Sequence, residues 1–573
     1  MNNREMADTF EAIANLMEIK GEAIYRILAY RRAAETLRGL GRDIRAIWEA
    51  GELQQIPGVG KAIAGKIDEI IRTDRLAFYE KLTEEIPPGL IQVLQVEGVG
   101  PKKAAFFWKE AGITSLEELE AAANAGQLRA LSGMGEKSEL KILESIKALK
   151  SRHTNRFLLS DAWGTAQSLI DALQECKAVA RIESAGSLRR WRETIGDLDL
   201  LVASETPAAV MDAFVALPLV ERVLGKGDTK TSVELLDGMR AQLWVHPPDR
   251  FGSAWQYATG SQAHNVRLRE LALAQGLSLS EHGFKRGNGA EVLCRDENEV
   301  YEQLGLAWIP PELREDLGEF KAAQQKGIPE LLKEVDLHGE LHAHSNWSDG
   351  RASVEEMALA AIARGMEYLV ISDHSRSLGI ANGLSIERLQ DQRREIDSVQ
   401  KKLGKKIRLL QGSEVEILAD GSLDYPDEIL KKLDIVIASL HTSLSQPRKQ
   451  VTQRVLNAVR NPHVDMIGHL TGRLINKRDP ADVEVETILA MGAEHDVVFE
   501  INSNAERLDL KDSHAKMALE LGCKLAINTD AHHPDHLDFR RFGVGTARRA
   551  WTSSESVLNT WSFKQLQEWL KGR

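Results

Sequence analysis

The spacing of apolar residues changes near residue 150, and the change divides the chain into two parts. In the first part, apolar residues recur three and four positions apart, as in the segment from Thr9 to Leu40. That period is typical of amphipathic helices. In the second part, which starts near Arg156, short apolar runs alternate with helical segments. The sequence therefore predicts an all-helical amino-terminal region followed by mixed α and β structure.

Short apolar runs in the last third of the chain each end in polar residues that are good metal ligands. The runs read YLVIS, IRLLQG, DIVIAS, VDMIG and KLAIN, and the polar residues at their ends are Asp373, His374, Glu414, His441, His469, Asp530 and His532. Barrel-like α/β folds assemble their active sites from loops at the carboxyl ends of such strands. We therefore expect these side chains to converge.

A pair of histidines precedes these runs. His342 and His344 stand two residues apart, so on an extended strand both imidazoles point to one side and can reach one ion. Asp349 follows five residues later. Any single histidine has the ordinary alternative of a core or surface residue, yet 12 of the 16 histidines lie between Asp336 and Arg573. Ligands in this number favour more than one divalent cation.

Three glycine turns separate helices in the first part of the chain. Each has an apolar residue, then Gly-x-Gly, then the start of a new helix. Such a turn brings bare backbone N–H groups at a helix start close to a phosphate oxygen. One copy alone has the alternative of a plain helix–helix turn, but three copies resemble helix-hairpin-helix motifs. The resemblance implies contact with the DNA backbone through Gly58, Gly60, Lys61, Gly98, Gly100, Lys102, Gly133 and Gly135.

Composition limits how such a protein would bind DNA. The net charge of −12 argues against coating nucleic acid by charge alone, so the contact must be local and geometric. Cys176, Cys294 and Cys523 are too few and scattered for a disulfide framework or a structural zinc site. No apolar stretch approaches the length of a membrane span, and the polar start is not a signal peptide. We expect a monomeric cytoplasmic protein.

A second candidate site lies in the segment SAGSLRRWRETIGDLDLLVAS. Gly186 and Ser187 offer a small turn and a hydroxyl, and Arg190 offers a cation, for a triphosphate. Asp197 and Asp199 alternate with leucines, which puts both carboxylates on one face of a strand, as paired Mg²⁺ ions require. The alternative is an exposed acidic face. The combination with the glycine turn and the arginine makes a nucleotide site the better interpretation.

These features resemble the palm of nucleotidyltransferases and of family X DNA polymerases in particular. The resemblance implies that Tyr257, Gly260 and Asn265 line an incoming deoxynucleoside triphosphate, with Mg²⁺ at the palm if it is active. The family carries a third carboxylate where this chain has Gln242, and an arginine where it has Trp244. A neutral amide binds a cation weakly and cannot take the proton of a primer hydroxyl. We predict weak or absent nucleotide addition, with a fully active gap-filling polymerase as the alternative.

The resemblance also implies a role for a lysine of the amino-terminal region. In family X polymerases a helix lysine there forms a Schiff base with a deoxyribose phosphate. Lys66, on the helix after the first glycine turn, matches that position, although a neighbouring family lysine falls on Ala62. Lys66 is therefore a candidate lyase nucleophile, and a solvated helix lysine is the alternative.

The histidine-rich part of the chain resembles the PHP domain, the polymerase and histidinol phosphatase family, in the form fused to bacterial family X polymerases. The resemblance implies one ion held by His342, His344, Glu414 and Asp530, a second by Glu414, His441 and His469, and a third by Asp349, His374 and His532. The ligand types suit Mn²⁺ or Zn²⁺. Arg473 and Arg507 are candidates for phosphate contact, each with a surface arginine as the alternative, and Asp373 is a candidate for orienting a histidine ligand.

A chain of 573 residues is too long for one core, and these features predict a multidomain protein. The predicted order is a lyase-like helix-hairpin-helix domain (1–85), helical fingers with two further motifs (86–150), an α+β nucleotidyltransferase palm (151–247), a thumb (248–316), a linker (317–335) and a distorted TIM-like α/β barrel of the PHP type (336–573). The predicted function is a metal-dependent 3′–5′ exonuclease and AP endonuclease acting on gapped, recessed or abasic DNA. The alternatives are a DNA-binding scaffold without catalysis and a small-molecule phosphoesterase.

Overall fold

The computed structural model describes residues 3–40, 44–56, 58–94, 96, 98–151 and 156–572. The chain forms two compact units, residues 1–155 and 156–573. The boundary between them falls where the sequence predicts the change from helical to mixed structure. The finer domain boundaries given above stay predictions.

The first unit is helical, as its apolar spacing predicts. Phe10, Ile67 and Phe107 come from three different helices and are fully buried in one core. Burial of such apolar stripes, more than helix propensity, stabilises helices of this length. Among the described residues of both units, no helix is long and apolar enough to cross a membrane. The helices of the first unit are α1 (Asn3–Lys20), α2 (Ile24–Gly39), α3 (Ile44–Glu49), α4 (Lys61–Thr73), α5 (Ala77–Glu85), α6 (Leu90–Val93), α7 (Pro101–Ala111), α8 (Leu116–Asn124) and α9 (Glu136–Ser151).

The second unit begins with a palm-like sheet. Its elements are β1 (Phe157–Leu158), α10 (Leu159–Gln174), β2 (Arg181–Ser184), α11 (Gly186–Arg189), β3 (Thr194–Ile195), β4 (Asp197–Ala203), α12 (Pro207–Val215), β5 (Val220–Lys226), β6 (Lys230–Leu235) and β7 (Arg240–His246). Five strands form a sheet of order β2-β4-β7-β6-β5, in which β4 and β7 are parallel. Leu198 and Leu200 of β4 are fully buried. The alternation along this strand therefore puts Asp197 and Asp199 on its other face.

The next segment combines helices with a small antiparallel sheet of order β10-β9-β8. Its elements are α13 (Phe251–Thr259), α14 (Gln262–Ala274), β8 (Leu277–Ser280), β9 (Gly283–Arg286), β10 (Glu291–Val292), α15 (Glu297–Gln303) and α16 (Glu319–Gln324). The predicted linker, residues 317–335, contains α16, in which Phe320 and Ala323 are buried. An irregular stretch then leads to the first strand of the barrel.

The last segment is a barrel of seven parallel strands in chain order, β11 to β17. Its elements are β11 (Gly339–Ala343), α17 (Val354–Ala363), β12 (Tyr368–Ile371), α18 (Ile386–Leu403), β13 (Arg408–Glu416), α19 (Asp427–Leu430), β14 (Ile435–Ser439), α20 (Arg448–Val459), β15 (Met466–Ile467), α21 (Val485–Glu494), β16 (Val498–Asn502), α22 (Asp512–Glu520), β17 (Leu525–Asn528), α23 (Arg540–Arg549) and α24 (Phe563–Lys571). The His344 N–H donates to the Ala531 carbonyl at 2.8 Å, so the sheet is nearly closed. Strands this apolar suit a parallel sheet covered on both faces.

The palm and the barrel pack against each other within the second unit. The Trp191 ring of the palm stacks on Trp163 at 4.9 Å between centroids and meets Phe542 of α23 edge-on at 6.4 Å. Gly545 permits this approach, because a Cβ there would lie 2.4 Å from the Trp191 ring. The barrel thus supports the segment between the predicted nucleotide turn and β4.

Candidate functional site

The nine predicted metal ligands come together at one end of the barrel. They lie near the carboxyl ends of the strands or in the loops that follow, and parallel strands direct these loops to a common edge. Eight of the nine form three groups, and the ligand atoms within each group lie within 4.8 Å of one another, while His469 lies outside these groups. The groups are His342, His344, Glu414 and Asp530; His344, Asp349, His374 and His532; and His374, Glu414 and His441.

The first group coincides with one predicted set of ligands. His342 Nε2 lies 3.4 Å from Glu414 Oε2. His344 Nε2 lies 3.0 Å from Asp530 Oδ1 and 3.6 Å from Glu414 Oε2. These side chains come from β11, β13 and the end of β17, and each is at least nine-tenths buried.

The other two groups share members more than the sequence predicts. Glu414 Oε1 lies 2.8 Å from His469 Nε2 and 3.2 Å from His441 Nε2. Its Oε2 lies 3.0 Å from His374 Nδ1. His374 Nε2 in turn lies 3.4 Å from Asp349 Oδ2. Glu414 is therefore the centre of the cluster.

His532 and His344 complete the group around Asp349. His532 Nε2 lies 3.3 Å from Asp349 Oδ1. Its Nδ1 faces the Asp530 carbonyl oxygen at 2.8 Å, which directs Nε2 toward the centre. His344 Nδ1 lies 3.8 Å from the same Asp349 oxygen, so the ring of His344 faces two groups at once.

Many atoms that face this centre lack hydrogen bonds. His342 Nε2, both ring nitrogens of His344 and of His469, and both carboxylate oxygens of Glu414 are buried and make no hydrogen bond within the described part of the chain. Leaving such atoms bare costs about 1 to 3 kcal/mol each. Donors that share one cation at about 2.1 Å stand about 3.0 to 3.5 Å apart, close to the separations given above. The residues therefore fit divalent cations.

Packing of opposite charges shifts the pKa values within the cluster. Burial lowers the pKa of His374, but the negative charges of Glu414 and Asp349 raise it to about 10. The pKa of His532 is raised to about 9, because Asp349 outweighs burial. Burial and the neighbouring histidines lower the pKa of His344 to about 3, which keeps this ring neutral. The carboxylates thus favour positive charge in the centre, carried by protons or by cations that displace them.

Two carboxylates that the sequence analysis missed orient the histidines. Glu416 Oε2 lies 2.7 Å from His441 Nδ1, and Glu500 Oε1 lies 2.7 Å from His342 Nδ1. A partner on Nδ1 leaves Nε2 free for a metal and fixes the ring. Glu416 had a sequence signal, because it stands two residues after Glu414 on the same face of β13. The sequence signal for Glu500 is the apolar run VFEIN of β16, which contains this acidic residue.

Asp373 contacts a loop instead of a histidine ring. Its carboxylate accepts hydrogen bonds from the Ser345 N–H at 2.9 Å and the Ser345 hydroxyl at 2.6 Å, and from the Ser348 hydroxyl. It also accepts one from Gln392 Nε2 at 2.5 Å. Asp373 therefore holds the segment between His344 and Asp349, and the predicted contact to a histidine ring is replaced by this one.

Arg473 lies in a different setting from the predicted phosphate contact. Its guanidinium donates to Glu193 of the palm at 2.7 Å and to the carbonyl oxygens of Arg507 and Leu508 at 2.8 and 2.6 Å. These bonds join the barrel to the palm and occupy the side chain. Arg507 faces the metal cluster instead, with Nε 3.7 Å from Asp530 Oδ2 and a buried Nη1 that makes no hydrogen bond to the described residues.

The palm brings together the second set of predicted residues. Asp199 pairs with Gln242 across β4 and β7, and Gln242 Nε2 donates to the Asp197 carboxylate. Burial, with help from the charge of Asp197, raises the pKa of Asp199 to about 7, and Lys230 only partly counters this. Gly186 has φ +58°, and a Cβ there would lie 2.2 Å from Asp199 Oδ2, so the turn requires glycine.

The predicted nucleotide residues lie near this pair but have other bonds. The Arg190 guanidinium donates to the Thr259 carbonyl, and a Cβ on Gly260 would lie 3.1 Å from Arg190 Nη1. Asn265 donates to the Tyr257 carbonyl at 2.8 Å. Ser187 lies one residue after Gly186 in α11 and is half-buried. Nucleotide binding by these residues stays a prediction.

The three glycine turns share one geometry. The first glycine of each, Gly58, Gly98 or Gly133, has φ between +75° and +78°, which favours glycine. In each, an N–H donates back over three residues at 3.0 Å, as from Val59 to the Ile56 carbonyl. The second glycine, Gly60, Gly100 or Gly135, stands at or just before the start of α4, α7 or α9. Pro57 and Glu97, which belong to the first two motifs, lie outside the described residues.

Three lysines flank these turns. Lys61 and Lys102, in the first turns of α4 and α7, are exposed. Lys66 is half-buried, with Nζ 4.8 Å from the centre of the Phe78 ring. The lyase role of Lys66 stays a prediction.

Comparisons with known proteins match this order of parts. Residues 1–76 match a helix-hairpin-helix domain, and residues 90–148 match a SAM-like helix-hairpin-helix tandem. Residues 254–315 match the DNA polymerase beta thumb. Residues 340–504 match the PHP domain. The predicted fold class is therefore confirmed.

Individual relatives extend the match. A DNA polymerase lambda of Rattus norvegicus is 26% identical over 344 residues, covering 55% of this chain and 56% of that protein. A probable phosphatase of Thermoanaerobacter sp. (strain X514) is 32% identical over 245 residues, covering 40% of this chain and 93% of that protein. The DNA polymerase/3′–5′ exonuclease PolX of Bacillus subtilis (strain 168) is 37% identical over 574 residues, covering 100% of both chains. The chain thus belongs to the PolX family, in which a family X polymerase core is joined to a PHP domain.

Proposed function

We propose that the barrel is a metal-dependent phosphodiesterase that removes nucleotides from the 3′ ends of DNA during repair. The convergence of nine ligands, many with buried atoms that lack hydrogen bonds, carries this proposal. The helix-hairpin-helix elements of the same chain give a grip on DNA that a small-molecule phosphatase does not need. The name of the Bacillus subtilis relative supports the same conclusion.

Up to three cations, Mn²⁺ or Zn²⁺, would bind among the ligands, with Glu414 shared between groups. Bound there, they supply Lewis acidity to a phosphodiester and lower the pKa of an attacking water. No side-chain nucleophile is required. The chain itself keeps His344 neutral as a ligand, and Glu416 and Glu500 hold His441 and His342 in register.

Arg507 is our candidate for contact with the substrate phosphate. Its buried Nη1 makes no hydrogen bond to the described residues, and its Nε lies 3.7 Å from the ligand Asp530. A guanidinium in this position neutralises a phosphate oxygen and offers planar donors to it. Arg473 has its donors occupied by Glu193 and two carbonyl oxygens.

We propose that DNA reaches the barrel through backbone contact at the three hairpins, and that abasic DNA is cut by the same centre. Backbone N–H groups at Gly60, Gly100 and Gly135 start helices and are the expected phosphate donors. Such contacts are independent of sequence. They suit an enzyme that acts at gapped, recessed or abasic sites in any sequence.

For the palm we propose weak or absent nucleotide addition, with deoxynucleotide binding retained. Gln242 stands beside Asp197 and Asp199 in place of a third acid, and the pKa of Asp199 near 7 leaves it about half protonated at neutral pH. Both features weaken a two-metal site. A fully active gap-filling polymerase is the alternative, since the rest of the core is present.

The test compares the wild-type protein with His344→Ala and Asp197→Ala on gapped and 3′-recessed DNA with Mn²⁺. We expect removal of 3′ nucleotides by the wild type and by Asp197→Ala, and loss only in His344→Ala. Elemental analysis of the purified proteins should find Mn or Zn reduced only in His344→Ala. A wild-type protein that binds DNA, holds no metal and leaves the DNA intact would instead be a scaffold.

A further inference from the structure

One surface loop leaves the metal cluster and returns to it. It spans residues 375–383, directly after the ligand His374. At its start, the Ser375 N–H donates to the Glu414 carbonyl at 3.0 Å, and at its end the Leu384 N–H donates to the His374 carbonyl at 2.8 Å. Both ends of the loop are therefore fixed to backbone that carries metal ligands.

The body of the loop is also held in place. The buried Asp424 carboxylate accepts hydrogen bonds from the Ser377 N–H at 2.7 Å and from Arg376 Nε at 3.3 Å. Asn382, at φ +54°, donates to the Trp347 carbonyl at 3.1 Å. Trp347 lies two residues before the ligand Asp349. Hydrogen bonds thus hold the loop to Asp424 near its start and to the segment before Asp349 near its end.

An isoleucine occupies the outer part of this braced loop. Ile380 is 98% exposed and lies six residues after His374. Val335, at 85% exposure, is also largely exposed and lies in the segment before the barrel. Water contact around a whole isoleucine side chain is unfavourable by roughly 1.5 to 3 kcal/mol relative to its burial. An apolar contact next to the site would therefore be favourable for the exposed isoleucine side chain of this ordered loop.

We propose that Ile380 is a specificity-determining residue that packs against the terminal nucleobases of a DNA strand whose 3′ end enters the metal cluster. This rests on the proposed 3′ nuclease function and adds how the enzyme separates the last base from its partner. The cluster would fix the scissile phosphodiester, and the adjoining bases then lie at its rim, where the loop stands. Arg376 lies four residues before Ile380 on the same loop, and its side chain is 52% exposed although its Nε contacts Asp424, so it suits the phosphate that flanks those bases.

The physical role is that of an apolar wedge. Side chains such as isoleucine that enter a base step partly unstack it and stabilise the open form. A base at a paired 3′ end must leave its stack and its partner before its phosphodiester can enter a buried cluster. A mismatched end is already open, and a small diester has no base pair. Ile380 should therefore matter for paired ends and much less for the other two substrates.

The test uses Ile380→Ser, Ile380→Leu and the matched control Val335→Ser, each loaded with Mn²⁺. Three substrates are compared: a 3′-recessed duplex with a paired end, the same duplex with a mismatched 3′ end, and bis(4-nitrophenyl) phosphate. We expect Ile380→Ser to lower kcat/KM about tenfold on the paired end, and less than about twofold on the mismatched end and on the small diester. Ile380→Leu and Val335→Ser should match the wild type on all three.

Two results would overturn the proposal. Equal loss on paired and mismatched ends would mean that Ile380 does not act on base pairing. Unchanged kinetics of Ile380→Ser on every substrate would assign the exposed side chain to something other than DNA. A wild-type protein that cleaves the small diester but no DNA fails the proposed nuclease function itself, which makes the two failures distinguishable.

Discussion

The barrel and the palm each place carboxylates at strand ends, yet the two sites differ in what surrounds those carboxylates. In the barrel, the Glu414 carboxylate lies within 3.6 Å of five histidines, and its pKa is held well below the usual value despite burial. In the palm, burial and Asp197 raise the pKa of Asp199 to about 7. Burial penalises a charge in both places. The partners in the barrel outweigh that penalty, whereas Lys230 and Arg190 in the palm do not.

In the barrel, buried ligand atoms lack hydrogen bonds to the described residues, whereas in the palm a carboxylate accepts a hydrogen bond from a neighbouring amide. The atoms around Glu414 that lack such hydrogen bonds are placed to share a bound cation. In the palm, the Gln242 amide donates a hydrogen bond to the Asp197 carboxylate, so that carboxylate has a hydrogen-bond donor without any cation.

The largest expected effect comes from removing the centre of the barrel cluster. Glu414→Gln takes away the charge that draws several histidines toward one point. We expect bound metal to be lost and 3′ nucleotide removal to fall more than about thousandfold, because several kcal/mol of charge stabilisation disappears. Elemental analysis and a labelled 3′-end assay measure both effects. Asp197→Asn is the control, and an active, metal-loaded Glu414→Gln would contradict the ligand assignment.

The second prediction restores an acidic residue in the palm, so that the palm carboxylates become more like those of a two-metal site. Gln242→Asp places a carboxylate beside Asp197 and Asp199. We expect nucleotide incorporation on gapped DNA with Mg²⁺ to rise about hundredfold, since a general base and a cation ligand both return. Gln242→Asn keeps an amide and should show no gain. Rapid incorporation by the wild type, with no gain in Gln242→Asp, would establish the active-polymerase alternative.

The carboxylates behind the histidines should give a smaller effect. Glu416→Gln keeps the size of the side chain but weakens its hold on His441 Nδ1, 2.7 Å away. Loss of such a contact lowers metal affinity or activity by about ten- to hundredfold. Metal titration of the purified variant measures it, with the exposed Glu428→Gln as the control. Unchanged affinity would mean that backbone geometry alone orients His441.

Most of the fold, and the residues that line the barrel cluster, could be predicted from the sequence. The convergence of strand-end residues such as His374 and Glu414 was predictable, because parallel strands align their carboxyl ends at one edge of the sheet. Their role as metal ligands stays a prediction. Glu500 escaped because its strand was not predicted, and nothing local to it names His342 as a partner 158 residues away. The predicted phosphate contact of Arg473 rested on its position in a barrel loop, whereas its partner in the structure, Glu193, belongs to the palm. Pairings across domains depend on packing that no local period encodes.

The smallest expected effect is a change in the pH dependence of stability that comes from the Asp199 carboxyl of the palm. A carboxyl whose folded pKa is raised to about 7 binds protons more tightly in the folded state. It contributes stability that is full below the unfolded pKa of about 3.9 and is lost as pH rises through 7. The Asp199→Asn variant cannot ionise and lacks this loss. We therefore expect the melting temperature of the wild type, relative to Asp199→Asn, to fall by a few degrees between pH 5 and pH 8, about 1 to 3 kcal/mol in a chain this long.

The exposed Asp171→Asn controls for a general effect of charge on the pH dependence. Because burial and the charge of Asp197 raise the pKa of the Asp199 carboxyl, a cation bound beside it would lower that pKa. Mg²⁺ should therefore flatten the pH dependence only if the palm binds the ion. A pH dependence that Mg²⁺ abolishes in the wild type would therefore place a working cation site in the palm, despite Gln242. One that Mg²⁺ leaves intact would confine metal binding to the barrel.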